Sequence, residues 1–253
     1  MLGALAAAIT PVALYGARSA GVILSTPGLN QKGAPTQVRI AIVVALAISL
    51  FAAMGPGHLA DADPLLLIAL APLELLVGIT LGFCVRLIFA AVEVAAEFAS
   101  FQMGYAAAAV FDPTTGSTMA PPTRLMYVIT VLLFLSIDGH HQVILALAGS
   151  YDFVPVGMAG IGSINAGAML DLAYGLFETA ARLAFPLIFV MFVINMVLGL
   201  LVRFVPQVNV FMIGFILTMG FGLLAMAELM PSMGLAITTL FEAVPGVLTG
   251  VVR

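Results

Sequence analysis

Asp138, His140 and His141, in the stretch SIDGHHQ, are the densest group of polar titratable side chains inside an apolar region of this 253-residue chain. Imidazole and carboxylate are metal ligands. Adjacent helical residues point about 100° apart, however, so the two histidines are not expected to converge on one ion as an i,i+4 pair would. A role at a segment end or an interface is the preferred reading, with a ligand role as the alternative. Glu178 and Arg182 stand four apart with the acid first, the better order for a helical pair, and read as a self-neutralising structural pair. Gly82, Arg86, Ala90, Glu93 and Glu97 fall within an arc of about 80° on one helical run. A charge at the centre of a membrane helix costs about 2.5–3.5 kcal/mol. Three on one face should therefore meet protein or water. The alternative is that Glu93 and Glu97 lie on a solvated extension beyond the membrane. Gly78 and Gly82 form a small-xxx-small pair suited to close helix approach. The chain contains no P-loop, HExxH or GxSxG motif. No catalytic residue, cofactor site or metal site is expected.

Composition restricts what must position these groups. Hydrophobic residues make up 63% of the chain and charged residues 8%, against about 25% charged in a soluble domain. Mean hydropathy is +1.22. Too few charges exist to cover a soluble surface, so lipid or protein must do so. Eight scattered Lys and Arg with a net charge of −4 give no basic footprint for nucleic acid. The single Cys84 excludes an intramolecular disulfide and a Cys-rich metal site. The N-terminal run lacks the positive region of a signal peptide and is read as a retained first segment.

Spanning helices need roughly 20 mostly apolar residues. Candidate runs lie at about 2–25, 38–55, 65–90, 124–148, 167–201 and 208–230. A last run at 233–252 is a further span or the return arm of a hairpin. The expected fold is all-α and integral to the membrane, with about six apolar segments arranged as helical hairpins in a single domain over 1–253. Turn chemistry marks the breaks at Pro27-Gly28, Gly55-Pro56-Gly57, Pro155 to Gly162, Pro206 and Pro231. The run from 65 continues past Arg86 to Glu93 and Glu97 with hardly a break. If Lys32 and Arg39 face the cytoplasm, alternation puts Arg86, Arg124 and Arg203 on the same side and His58, Asp61, Asp63 and Asp152 opposite.

Two stretches carry a family resemblance. One is RFVPQVNVFMIGF, Arg203 to Phe215. The other is the ordered set Gln102, Gly104, Asp112-Pro113 and FLSIDGHHQVILALAGSYDFVPVG, ending at Gly157. With the length and hydropathy, they resemble the FliR/SctT family of type III export-gate proteins. GHH, Ser150-Tyr151 and Pro155-x-Gly157 look more flagellar than injectisome-like. The family usually continues Gly-Phe-Pro-x-Lys after PQxNVF, whereas this chain has Gly214-Phe215-Ile216-Leu217-Thr218.

The resemblance implies a non-enzymatic core subunit of the flagellar export gate in the bacterial inner membrane and flagellar basal body. It implies partnership with FliP, FliQ and FlhB, with FlhA nearby, in a helical assembly that passes unfolded flagellar proteins. It also implies a FliP-like N-terminal part and a FliQ-like C-terminal part. By the same resemblance, the segment at about 104–122 is a channel plug, carried by Gln102, Gly104, Tyr105, Ala106, Ala109, Phe111, Asp112, Pro113 and Gly116. Small side chains allow dense closure, and Asp112-Pro113 favours a turn. An inert loop outside the pore is the alternative. Gly82, Arg86, Glu93, Glu97, Pro206, Gln207, Asn209 and Phe211 are the expected subunit interface. Three other functions compete: the injectisome gate subunit SctT, a structural scaffold, and a small-molecule or ion transporter. The last would use Glu93, Glu97, Asp138 and the histidines, but the sequence shows no inverted repeat.

Overall fold

The computed structural model describes residues 2–27, 35–56, 64–105, 119–204, 210–242 and 244–251. The described residues are helical and contain no strand. In chain order they form α1 (Leu2–Ser25), α2 (Thr36–Met54), α3 (Pro64–Gln102), α4 (Pro121–Ser136), α5 (Gly139–Phe153), α6 (Ala166–Phe204), α7 (Val210–Glu242) and α8 (Val244–Val251). A 3₁₀ turn at Ile161–Ser163 precedes α6. Asn165 caps α6, its Oδ1 accepting the Ala168 N–H at 3.1 Å.

Among the described residues, four stretches are long and apolar enough to cross a membrane: Thr36–Met54, Ala69–Gln102, Ala166–Leu201 and Ile213–Glu242. Helices α4 and α5 together make a fifth if they count as one broken span. Phe177, Phe185, Phe189 and Phe192 of α6 are each more than half exposed. Apolar surface on that scale is covered by lipid or by protein in the working molecule.

The run at 65 is one helix of 39 residues, as its unbroken pattern suggested. At 1.5 Å per residue it is about 58 Å long, nearly twice the roughly 30 Å hydrocarbon core. Staying inside would take a tilt near 60°, beyond the usual range of about 0–40°. Part of α3 therefore leaves the hydrocarbon. Its membrane-candidate stretch is 61% buried within the chain, against 11–22% for the other three.

Two segment boundaries differ from the sequence reading. The run at 124–148 is broken at Ile137-Asp138, where Asp138 takes a left-handed conformation with φ 55°. Asp tolerates that geometry better than most residues, and periodicity carries no signal for it. Pro231, expected to separate two runs, lies inside α7. Its missing N–H leaves the Ala227 carbonyl without the usual helical donor, a loss that membrane helices tolerate through local adjustment.

The chain divides into two compact units. One comprises residues 1–88, 138–173 and 241–253; the other comprises 89–137 and 174–240. In the first, α1 packs on α2, with the Tyr15 hydroxyl donating to the Gly55 carbonyl at 3.2 Å and Tyr15 against Phe51. Helix α5 packs on α8. In the second, Phe89 lies edge-on to Phe134 with centroids 5.5 Å apart.

Candidate functional site

Arg18 and Glu74 are the centre of the first unit. Both side chains have zero exposure, and Arg18 Nε lies 2.7 Å from Glu74 Oε2. Burying two charges is costly unless every remaining donor and lone pair is used. Here Arg18 Nη1 donates to Ser150 Oγ at 3.0 Å and Nη2 to the Val154 carbonyl at 3.0 Å. The Tyr151 ring lies 3.9 Å from the guanidinium carbon, within cation–π range. The second oxygen of Glu74 accepts the Gly157 N–H at 2.8 Å. Gly157 has φ 83°, a conformation that glycine adopts without strain. One ion pair thus ties α1, α3, the end of α5 and the connector after it.

Glycines bring α1 and α3 together around this pair. A Cβ on Gly21 would stand 2.5 Å from the Leu75 carbonyl oxygen, and one on Gly82 2.6 Å from Ser25 Cβ. A Cβ on Gly78 would run into the backbone of Arg18. The Gly78/Gly82 pair, expected to permit close approach, approaches α1 of the same chain. Arg86, one turn further on, is exposed.

The second unit holds both shoulders of the 106–118 segment. On the leading side, Gln102 ends α3 and is half-buried, and Met103 is buried. Gly104 has φ +88°, and a Cβ there would meet Phe215 Cδ2 at 3.4 Å. Thr218 Oγ1 lies 3.2 Å from the Met103 carbonyl and 3.1 Å from that of Phe215, sharing its one proton between them. The Met103 side chain fills the space left by Gly222, where a Cβ would overlap its Cγ. Tyr105 is half-buried. On the trailing side, Pro121 and Pro122 open α4. Pro at the first helical positions gives up only an N–H that would lack a helical partner anyway. Thr123 Oγ1 donates to Glu97 Oε2 at 2.7 Å and lies 2.9 Å from Ser100 Oγ. Thr123 spends its one proton on the Glu97 carboxylate, so the single Ser100 proton is shared between the Ala96 carbonyl at 2.8 Å and Thr123 Oγ1.

These contacts place several expected residues. Glu97 faces α4 through Thr123. The Gly-Phe-Ile-Leu-Thr run, where the family pattern has proline and lysine, forms unbroken helix, and its Thr218 engages Met103. Glu178 and Arg182 pair as read, 2.6 Å apart and exposed. Ala106, Ala109, Phe111, Asp112, Pro113, Gly116, Pro206, Gln207 and Asn209 lie outside the described residues; Phe211 lies in the first turn of α7.

The sequence reading missed Arg18, Glu74, Thr123, Ser100, Thr218 and Gly222. A charge in each of two apolar runs was the available signal for the first two. The partner, 56 residues away, carries no local pattern. The histidines stand at a segment end, as the preferred reading had it, in the first turn of α5. His140 and His141 do not diverge; their ring centroids are 4.4 Å apart. Helix α5 starts at Gly139, so no preceding turn limits their rotamers as it would mid-helix.

A family described as bacterial export proteins, family 1, matches residues 9–244. Over 214 residues the chain is 32% identical to the flagellar biosynthetic protein FliR of Escherichia coli (strain K12), covering 85% of this chain and 82% of the relative. The FliR of Pectobacterium carotovorum subsp. carotovorum is 34% identical over 218 residues, with the same coverage. The Yop proteins translocation protein T of Yersinia pestis is 29% identical over 180 residues, 70% of this chain and 68% of that one.

Proposed function

The chain belongs to the bacterial export proteins of family 1, and from that membership we propose that it is a FliR-type core subunit of a flagellar type III protein export gate. The observation that carries this reading is the match to flagellar relatives along nearly the whole chain, higher in identity and coverage than the match to the translocation relative. The subunit is non-enzymatic: it supplies wall and closure to a channel for unfolded flagellar proteins. Its assembly partners are FliP, FliQ and FlhB, with FlhA nearby, in the bacterial inner membrane at the basal body. The whole chain acts as one gate domain, FliP-like at its N-terminal part and FliQ-like at its C-terminal part. Arg86, with Pro206, Gln207, Asn209 and Phe211, contributes to subunit contacts. The exposed apolar faces of α2, α6 and α7 give partners and lipid ample surface.

Closure is assigned to the segment at about 104–122. Its support is the family's use of this position, the small residues and turn chemistry of 106–118, and the way both shoulders are held. Met103 and Gly104 are seated on α7, and Thr123 is bonded to α3. Firm shoulders with small residues between them suit a stopper displaced by substrate and returned afterwards. Removing Thr114–Thr118 should leave assembly near normal and make the resting gate conduct small ions. Variants that assemble normally and stay as tight as the parent would remove the closure role.

A further inference from the structure

We propose that Asp138, His140 and His141 form a binding site for one divalent transition-metal ion, with zinc the metal that its donors fit best. One ligand atom from each residue lies within 4.8 Å of the other two. His141 Nδ1 is 3.4 Å from Asp138 Oδ1, an ion pair when the imidazole is protonated but too long for a strong hydrogen bond. His140 Nδ1 is buried and makes no hydrogen bond within the described structure. A buried polar atom without a partner calls for an explanation such as a water or an ion.

The geometry closes with small movements. Zinc binds imidazole nitrogen and carboxylate oxygen at about 2.0–2.2 Å, so two donors on one ion lie no more than about 4.4 Å apart. Bringing the three within that limit takes side-chain rotations worth under about an ångström. The Asp138 and His141 side chains are 72% and 66% exposed, so they are free to rotate and the ion has an open approach. Two imidazoles and one carboxylate suit zinc, nickel or copper, whereas magnesium and calcium prefer all-oxygen sites. Three protein ligands leave a coordination position for water. The α5 dipole opposes a cation at its N-terminus, and the Asp138 carboxylate offsets it. Bound metal would fasten the left-handed Asp138 turn to the first turn of α5.

The test uses the full chain, purified in detergent with an affinity tag that contains no histidine. The background is low: the only other histidine is His58 and the only cysteine is Cys84, which is buried. Calorimetric titration with zinc chloride should show saturable binding at one ion per chain, and magnesium chloride should show none at the same concentrations. His140→Gln with His141→Gln should lower zinc affinity by more than the roughly 10–100-fold that outer-shell changes cost. His58→Gln should leave it unchanged. Asp138→Asn keeps a residue that tolerates the left-handed turn and should weaken binding while leaving helix content unchanged by circular dichroism. Absent saturable zinc binding, equal binding by the double variant, or loss of binding through His58→Gln would each overturn the site.

Discussion

Replacing Arg18 by leucine keeps an apolar side chain at the α1–α3 crossing but strands Glu74. Its carboxylate would retain the Gly157 N–H and lose the guanidinium paired with it, at zero exposure. Removing one partner of a buried ion pair costs about 3–5 kcal/mol. That is a factor of roughly 10²–10³·⁷ in the folded-to-unfolded ratio. Glu74→Leu should cost a similar amount by stranding Arg18. The Arg18→Leu/Glu74→Leu double variant removes both charges. It leaves the Val154 carbonyl and the Gly157 N–H unpaired, at about 1–3 kcal/mol each. Its loss should fall well short of the sum of the singles. The assay is denaturant unfolding of the detergent-solubilised chain, read by size-exclusion recovery and circular dichroism across the four-member cycle. Arg18→Leu within about 0.5 kcal/mol of the parent, the scatter of neutral surface changes, would show that the buried pair does not hold this crossing together. So would a double variant as unstable as the two singles added.

Glycine substitutions separate close packing from helix propensity. Gly78→Ala pushes a Cβ into the Arg18 backbone, while at Gly149 a Cβ meets nothing within 4 Å. The first should lower the unfolding midpoint, and the second should raise stability by up to about 1 kcal/mol; matching shifts would contradict this packing. Gly222→Ala overlaps the Met103 side chain and should loosen the leading shoulder of the 106–118 segment, visible as faster proteolysis there. Adding Met103→Ala should relieve the overlap, leaving the pair less destabilised than the two changes summed; strict additivity would show that the contact has no role.

Much of this architecture was legible because membrane helices announce themselves. Long apolar runs separated by Pro and Gly gave the helical segments, and the uninterrupted pattern past Arg86 anticipated the full length of α3. Gly78 and Gly82 read correctly as a surface for close approach. Periodicity assigns a residue to a face but says nothing of what stands opposite. The Arg18–Glu74 pair, the Thr123–Glu97 bond and the Thr218–Met103 bond join positions 56, 26 and 115 residues apart. They could not be paired from local pattern. The break at Asp138 was hidden for a related reason: one left-handed residue leaves the apolar composition on either side unchanged. Pro231 misled in the opposite direction, because proline was read by its habit in soluble helices.

The proposed role of this chain, one subunit of an export gate, has a direct test. Its most direct measurement is affinity purification of the chromosomally tagged chain from its own membranes in mild detergent, followed by identification of the accompanying proteins. One large complex containing FliP-like and FliQ-like chains is expected, lost together with flagellar protein export when the tagged chain is deleted. Purification of the chain alone or as a homo-oligomer, with export intact in the deletion strain, would contradict it.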